Sequence, residues 1–315
     1  MTGLRVIKPG PLSLLQDEGR LGWRHLGVSS CGPLDRHAAA WANRLLDNPW
    51  GTPLLEIALG YLELESQLDT WLALTGAELA ATLDGEALLP WARFAIRAGQ
   101  RLKLDYARSG QRAYLAVAGG FRAPPVLGSV STQAREGLGG LSGQGEPLRA
   151  GDLLPCRPAR FAGSLSVPWR YRPDYRAIAS LRVITGGDAS GFDEQQVRAF
   201  FAQTWQLSPQ SDRMGARLQG EALMVPRRQW SLGVSRGRSR CRPMASRSSS
   251  RPTTRPWGVP DPRLAASARP EPPGPVPAAP RPAVLSGKPR RGPGRVARVL
   301  RLLRQADPLK CRRRH

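Results

Sequence analysis

Short apolar runs recur along the first 160 residues, and Gly, Pro or Asp separates one run from the next. Leu62 and Leu64 alternate with Glu63 and Glu65, the period of two that a strand with one buried face requires. The same pattern predicts strands over 4–8, 54–59, 61–65, 71–75, 79–83, 93–97, 101–106 and 112–118. Asp84-Gly85 follows one of these runs and supplies the positive φ pair that a tight hairpin needs. Closely spaced short strands argue for a mainly β barrel or sandwich rather than a parallel α/β sheet.

Two segments carry a helical period instead. Asp35 is suited to cap a helix in which Trp41, Leu45 and Leu46 share a side, and Asn48-Pro49 ends it. Residues 192–205 place Val197, Phe200, Phe201 and Trp205 on one stripe, read as core, with Asp193 and Glu194 in the first turn. A short echo, Ala98-Gly-Gln-Arg-Leu and Ala150-Gly-Asp-Leu-Leu, marks a Gly turn entering a strand at both places. It suggests two β subdomains of similar build.

Charge divides the chain. The net charge is +23, but residues 226–315 hold 23 Lys and Arg against three acids, leaving +3 for 1–225. Sixteen of the 30 prolines also lie beyond 225, among Ser and Arg runs. Residues 1–225 therefore read as one β domain, and 226–315 as a disordered tail unable to offset its chain entropy by burial. Within the tail, 295–304 has a helical period, with Val296, Val299, Leu300 and Leu303 on one side. A nucleic-acid role for this basic segment is disfavoured, because it offers Trp230 and Trp257 but no Tyr or Phe for stacking on bases.

No apolar stretch reaches the roughly 18–20 residues of a membrane span, and no secretory signal is visible after Met1. Cys31, Cys156, Cys241 and Cys311 are far apart and lack His at ligand spacing, which points to reduced thiols, no metal site and a cytoplasmic location.

Chemistry concentrates in loops. Gln16-Asp17-Glu18-Gly19-Arg20-Leu21-Gly22 sets an amide, carboxylates and a guanidinium between glycines, suited to orienting a carboxylate or carbonyl, or else to a local structural pair. Residues 28–35, including Ser30, form a small-residue loop running into the Asp35 cap. Gly128-Ser129-Val-Ser-Thr and Gly137-Leu-Gly-Gly-Leu make a second loop pair able to cradle a polar ligand. Asp212-Arg213 offers an anion clamp or a capped turn. There is no phosphate-binding Gly-x-x-x-x-Gly-Lys-Ser/Thr loop, and no Met has the adjacent Lys of a biotin attachment site. His25 and His37 fit no triad or metal pattern.

In order, Gln16-Asp17-x-Gly19-Arg20-x-Gly22, Ser30-x-Gly32-x-x-Asp35 with Asn43, and Leu55-Glu56-x-x-x-x-Gly60 resemble the C subunit of bacterial 5-oxoprolinase. Leu74-Thr-Gly-Ala77, residues 114–120, Gly128-Ser129 and Ser211-x-Arg213-Met-Gly-x-Arg217-Leu218 extend the likeness over 3–222. The module is similar to the carboxyltransferase domain of urea amidolyase and to an antagonist of a sporulation-kinase inhibitor. The resemblance implies cyclophilin-like β subdomains, companion subunits, and an ATP-using complex that converts 5-oxoproline to glutamate. A urea amidolyase component and a non-catalytic, partner-binding regulator are the alternatives. Asp17, Arg20 and Glu56 are the candidate catalytic residues. Gln16, Ser30, Asp35, Ser129, Asp212 and Arg213 are the candidate substrate-binding ones.

Two departures from the family pattern stand out. Gly186-Gly187-Asp188 occupies a place where Gly-Pro is usual. Where a Pro-Gly-x-Val-Gln-Val-Pro-x-x-Gly-Gln-Pro segment is expected, Ser235–Ser249 is Arg- and Ser-rich. Allowed G/C-rich codons for Ser235–Ser249, read one frame over, encode Pro-Gly-Ala-Val-Gln-Val-Pro-Pro-Asp-Gly-Gln-Pro-Ile-Val. A reading-frame slip near codons 222–230 accounts for both the composition and the missing segment.

Overall fold

The computed structural model describes residues 2–177, 179–183, 191–224 and 298–303. The chain divides into two compact units, the first running to Arg176 and the second beginning at Ala177. The stretch 1–225, read from sequence as one domain, therefore spans both. Among the described residues no helix is long and apolar enough to cross a membrane.

The first unit begins with β1 (Gly3–Pro9), β2 (Leu12–Gln16) and helix α1 (Arg36–Leu45). Then come β3 (Leu54–Ala58), β4 (Leu62–Ser66), β5 (Thr70–Glu78), β6 (Ala81–Leu83), β7 (Glu86–Ala87) and β8 (Ala92–Ile96). The unit finishes with β9 (Arg101–Leu104), β10 (Ser109–Val117), β11 (Leu153–Pro155) and β12 (Leu165–Ser166). These strands form two six-stranded sheets, β11-β1-β4-β9-β6-β7 and β12-β8-β5-β10-β3-β2, and every pairing in them is antiparallel.

The mainly β expectation holds, and the eight strands predicted from short apolar runs between turns all appear. The Asp84-Gly85 hairpin is present, with φ of 49° and 90° at its two turn residues. The strands after both halves of the Ala-Gly echo exist, but β9 and β11 lie in the same sheet, so the echo does not mark separate subdomains.

The side chains sort by strand alternation. Ala113, Leu115 and Val117 of β10 join the core shared by the two sheets, with Leu4, Leu64, Leu72 and Leu102. Tyr114 and Ala116 point the other way, into a second cluster with Ala38, Ala42 and Leu45 of α1. Helix α1 is thus a third layer on one sheet. At its N-terminus Asp35 accepts the Ala38 N–H at 3.0 Å, the cap read from sequence.

The second unit contains β13 (Ala179–Val183), α2 (Glu194–Ala202), β14 (Thr204–Leu207), β15 (Leu218–Gln219) and β16 (Arg298–Leu303), with strand order β13-β16-β14-β15. Asp193 caps α2 by accepting the Gln196 N–H. The helix stops at Ala202, short of the expected 205. Trp205 sits in β14 instead, where it is fully buried and still packs on Phe200.

Residues 298–303, inside the stretch expected to be a basic helix, form a strand. It runs antiparallel to β13 and parallel to β14. Two strand edges offer this backbone long-range partners, and they prevail over the local bonds of a helix. The rest of the tail, and the Gly186-Gly187-Asp188 departure, lie outside the described residues.

Candidate functional site

Three loops converge at the end of β2. The loop after Gln16 lies on the loop before α1, the Arg20 N–H donating to Ser30 O at 2.6 Å. Gly19 has φ of 101°, and a Cβ there would stand 2.3 Å from Ser30 O, so only glycine fits this crossing. The third loop, 126–133, is tied to the same strand end. Thr132 N–H donates to Leu15 O at 2.9 Å, and Gln16 Nε2 to Thr132 O at 3.2 Å.

Asp17 is the fastener. Its Oδ1 accepts from Gly19 N–H, Ser129 Oγ and Ser131 Oγ at 2.8, 2.5 and 2.7 Å, and Oδ2 accepts the Val130 N–H at 2.7 Å. Four donors surround one carboxylate, which leaves it as the anchor of a Ser-rich loop in this conformation. Ser131 belongs to this set although it was not singled out in the sequence. Its signal was its place two residues from Ser129 in the same run.

Arg20 is fully buried, and among the described residues it forms no ion pair. Nε donates to Val126 O at 3.1 Å and Nη2 to Ser129 O at 3.4 Å, while Nη1 has no hydrogen-bond partner among the described residues. Gln16 Oε1 is also buried and has no partner among the described residues. Buried polar atoms left unpaired carry a desolvation cost of about 1–3 kcal/mol each and are uncommon in native folds. Gly139 packs on the guanidinium, since a Cβ there would lie 2.3 Å from Nη2.

Glu56 and Asp35 form a neighbouring network. Glu56 of β3 and Tyr114 of β10 are paired across the sheet, and both project toward α1. Tyr114 Oη donates to Glu56 Oε2 at 3.0 Å and accepts the Asp35 N–H at 2.7 Å. Glu56 Oε2 accepts the Leu34 N–H at 2.8 Å, and Oε1 lies 3.4 Å from Arg112 Nε. Tyr175 Oη donates to Asp35 Oδ2 at 2.7 Å. Burial, with the charges of Glu56 and Asp35 beside it, holds the Tyr114 hydroxyl well above the usual tyrosine pKa. Sequence reading missed Tyr114 and Tyr175, whose partners are 58 and 140 residues away.

Gln16, Asp17, Arg20, Ser30 and Ser129 are thus gathered at one place, with Asp35 and Glu56 joined to them through residues 30–35. Asp212 and Arg213 lie in the second unit, in the segment between β14 and β15. There Asp212 Oδ1 accepts from Met214 and Gly215 N–H at 2.8 and 2.9 Å, the capped-turn arrangement. His25 and His37 each bond a backbone carbonyl, Gly22 O and Tyr171 O, at 2.8 Å. Among the described residues no cluster of three His, Cys, Asp or Glu is placed to hold a metal ion.

Residues 26–240 match the carboxyltransferase domain, subdomains A and B. The chain is 42% identical over 225 residues to the C subunit of 5-oxoprolinase from Escherichia coli K12, a match covering 70% of this chain and 69% of that protein. It is 30% identical over 244 residues to urea amidolyase of Saccharomyces cerevisiae, covering 73% of this chain and 13% of that one. The solved structure of Kluyveromyces lactis urea carboxylase superposes with a TM-score of 0.63 at 27% identity, over 70% of this chain and 20% of that one. With its sheets, its loop cluster and these likenesses together, the chain belongs to the carboxyltransferase-domain family, subdomains A and B.

Proposed function

We propose that this chain is a subunit of an ATP-dependent 5-oxoprolinase and acts with companion subunits in the cytoplasm to convert 5-oxoproline to glutamate. The observation that carries this reading is a pair of buried atoms at the end of β2 and on the loop that follows it, Gln16 Oε1 and Arg20 Nη1, which have no partner among the described residues. 5-Oxoproline is a lactam bearing a carboxylate. A guanidinium N–H suits the carboxylate and an amide oxygen suits the lactam N–H. The 42% identity to a bacterial 5-oxoprolinase component supports the substrate class.

In this reading Asp17 positions the loop, while Glu56 and Asp35 hold the entry to α1. Ser30 and Ser129 shape the wall. Gly139 covers Arg20, so substrate entry requires the glycine-rich segment 137–145 to shift. ATP is assigned to the complex and to no residue of this chain. Asp212 and Arg213 stand outside the reading, because the Asp212 carboxylate is engaged by its own turn.

The test is reconstitution with companion subunits and measurement of ATP-dependent glutamate release from 5-oxoproline. Arg20→Lys, checked for folding by circular dichroism, is expected to lower kcat/KM at least tenfold. No release, or an unaffected Arg20→Lys, overturns the reading. ATP-dependent turnover of urea would move it to the amidolyase class, and tight partner binding without turnover to the regulator class. The out-of-frame origin proposed for the tail is decided separately, by the coding DNA around codons 220–240.

A further inference from the structure

A cavity of about 330 Å³ lies away from this loop cluster, between the β6–β7 hairpin and the end of β5. Its volume is at the small end of the range that ligand sites occupy. Leu74, Leu79, Ala81, Leu88 and Trp91 give it an apolar wall. Two wall residues without glycine's freedom hold left-handed backbone, Ala80 at φ 44° and Trp91 at φ 58°. Such strain persists only where surrounding structure enforces it, and it clusters at functional sites. Trp91 is fixed further by donating its indole N–H to Gly76 O at 3.1 Å.

Three charged residues line the cavity, and two of them are neutralised. Glu78 pairs with Arg176 at 3.2 Å, and Asp105 with Lys103 at 3.2 Å. Arg108 is exposed, and its guanidinium has no ion-pair or hydrogen-bond partner among the described residues. An apolar chamber with one uncommitted guanidinium at its rim selects a small molecule with an apolar body and a single negative end.

We infer that this cavity binds a small monocarboxylate with an aryl or short alkyl body, its carboxylate on Arg108 and its body against Trp91 and Leu88. Neither the loop cluster nor 5-oxoproline turnover is needed for it. The probe is 3-phenylpropanoate, titrated calorimetrically into the full chain, with 3-phenylpropanamide as the uncharged counterpart. Saturable binding of the acid is expected, about tenfold tighter than the amide. Arg108→Gln is expected to erase that difference, and Ala87→Trp, on the exposed hairpin strand that lines the cavity, to weaken both ligands about tenfold or more. No saturable binding of the acid by about 10 mM overturns the assignment. So does equal affinity for the amide, or undiminished acid binding by Arg108→Gln. The acid–amide comparison on the unaltered chain is decisive even if a variant fails to fold.

Discussion

The Tyr114 hydroxyl joins two chain segments by serving Glu56 as donor, at 3.0 Å, and Asp35 as acceptor, at 2.7 Å. Tyr114, Glu56 and Asp35 are all buried, so both bonds are made away from solvent. Tyr114→Phe is therefore expected to destabilise the first unit by about 2–4 kcal/mol, through loss of two buried hydrogen bonds, one of them to a carboxylate. Urea unfolding followed by circular dichroism measures it. A change within about 0.5 kcal/mol would mean that the hydroxyl carries no structural load.

Alkaline pH acts through the same group. The folded-state pKa of Tyr114 is raised above its ordinary value of 10.0, chiefly by burial. The folded state thus holds the proton more tightly than the unfolded chain does. The resulting stability is fully present below pH 10.0 and is lost as pH climbs beyond it. Cys156 behaves alike from a lower start, since burial pushes its thiol from 9.0 up to about 11. Stability is expected to be flat between pH 7 and 8.5 and to decline from about pH 9. Cys156→Ala removes the part of the decline between 9 and 11, and Tyr114→Phe the steeper part above 10, relative to each variant's own neutral-pH stability.

Asp17→Asn tests the loop anchor. Four donors converge on the carboxylate, and an amide group presents one of them with an N–H instead of a lone pair. A loss of about 2 kcal/mol is expected. Hydrogen exchange at the Val130 amide, which donates to Oδ2 at 2.7 Å, is expected to speed up more than exchange in β10. Uniform acceleration across the sheet would instead indicate global loosening.

Gly139→Ala strikes the opposite wall. Its φ is 70°, and the added methyl would stand 2.2 Å from Ser131 O and 2.3 Å from Arg20 Nη2. The loop must shift, with a cost of about 2 kcal/mol or more from backbone strain and lost contacts together. Thermal unfolding reads this directly, and an unchanged Tm would show that the loop has room to spare.

Much of the first unit was legible because its signals are local. Alternation such as Leu62-Glu63-Leu64-Glu65 needs no distant partner to be read, nor does the Asp35 cap or the Asp84-Gly85 turn. Strands β11 and β12 escaped because three and two residues hold too little pattern, and β2 because its alternation breaks at Leu14-Leu15. For Arg298–Leu303 the local period pointed to a helix, whereas strand edges more than 90 residues away in sequence set an extended backbone.

The candidate site divides along the same line. Sequence alone determined which loops are rich in chemistry, and that Gln16, Asp17, Arg20, Ser30 and Ser129 belong among the polar candidates. Only the tertiary structure decided their roles, engaging Asp17 with four donors, leaving Arg20 Nη1 and Gln16 Oε1 without a partner among the described residues, and setting Tyr114 between Glu56 and Asp35. The physical reason is that residue type sets what a group can donate or accept. Which partners come within 3 Å is set by strand register and loop crossings between segments more than 100 residues apart, as for Asp17 and Ser131.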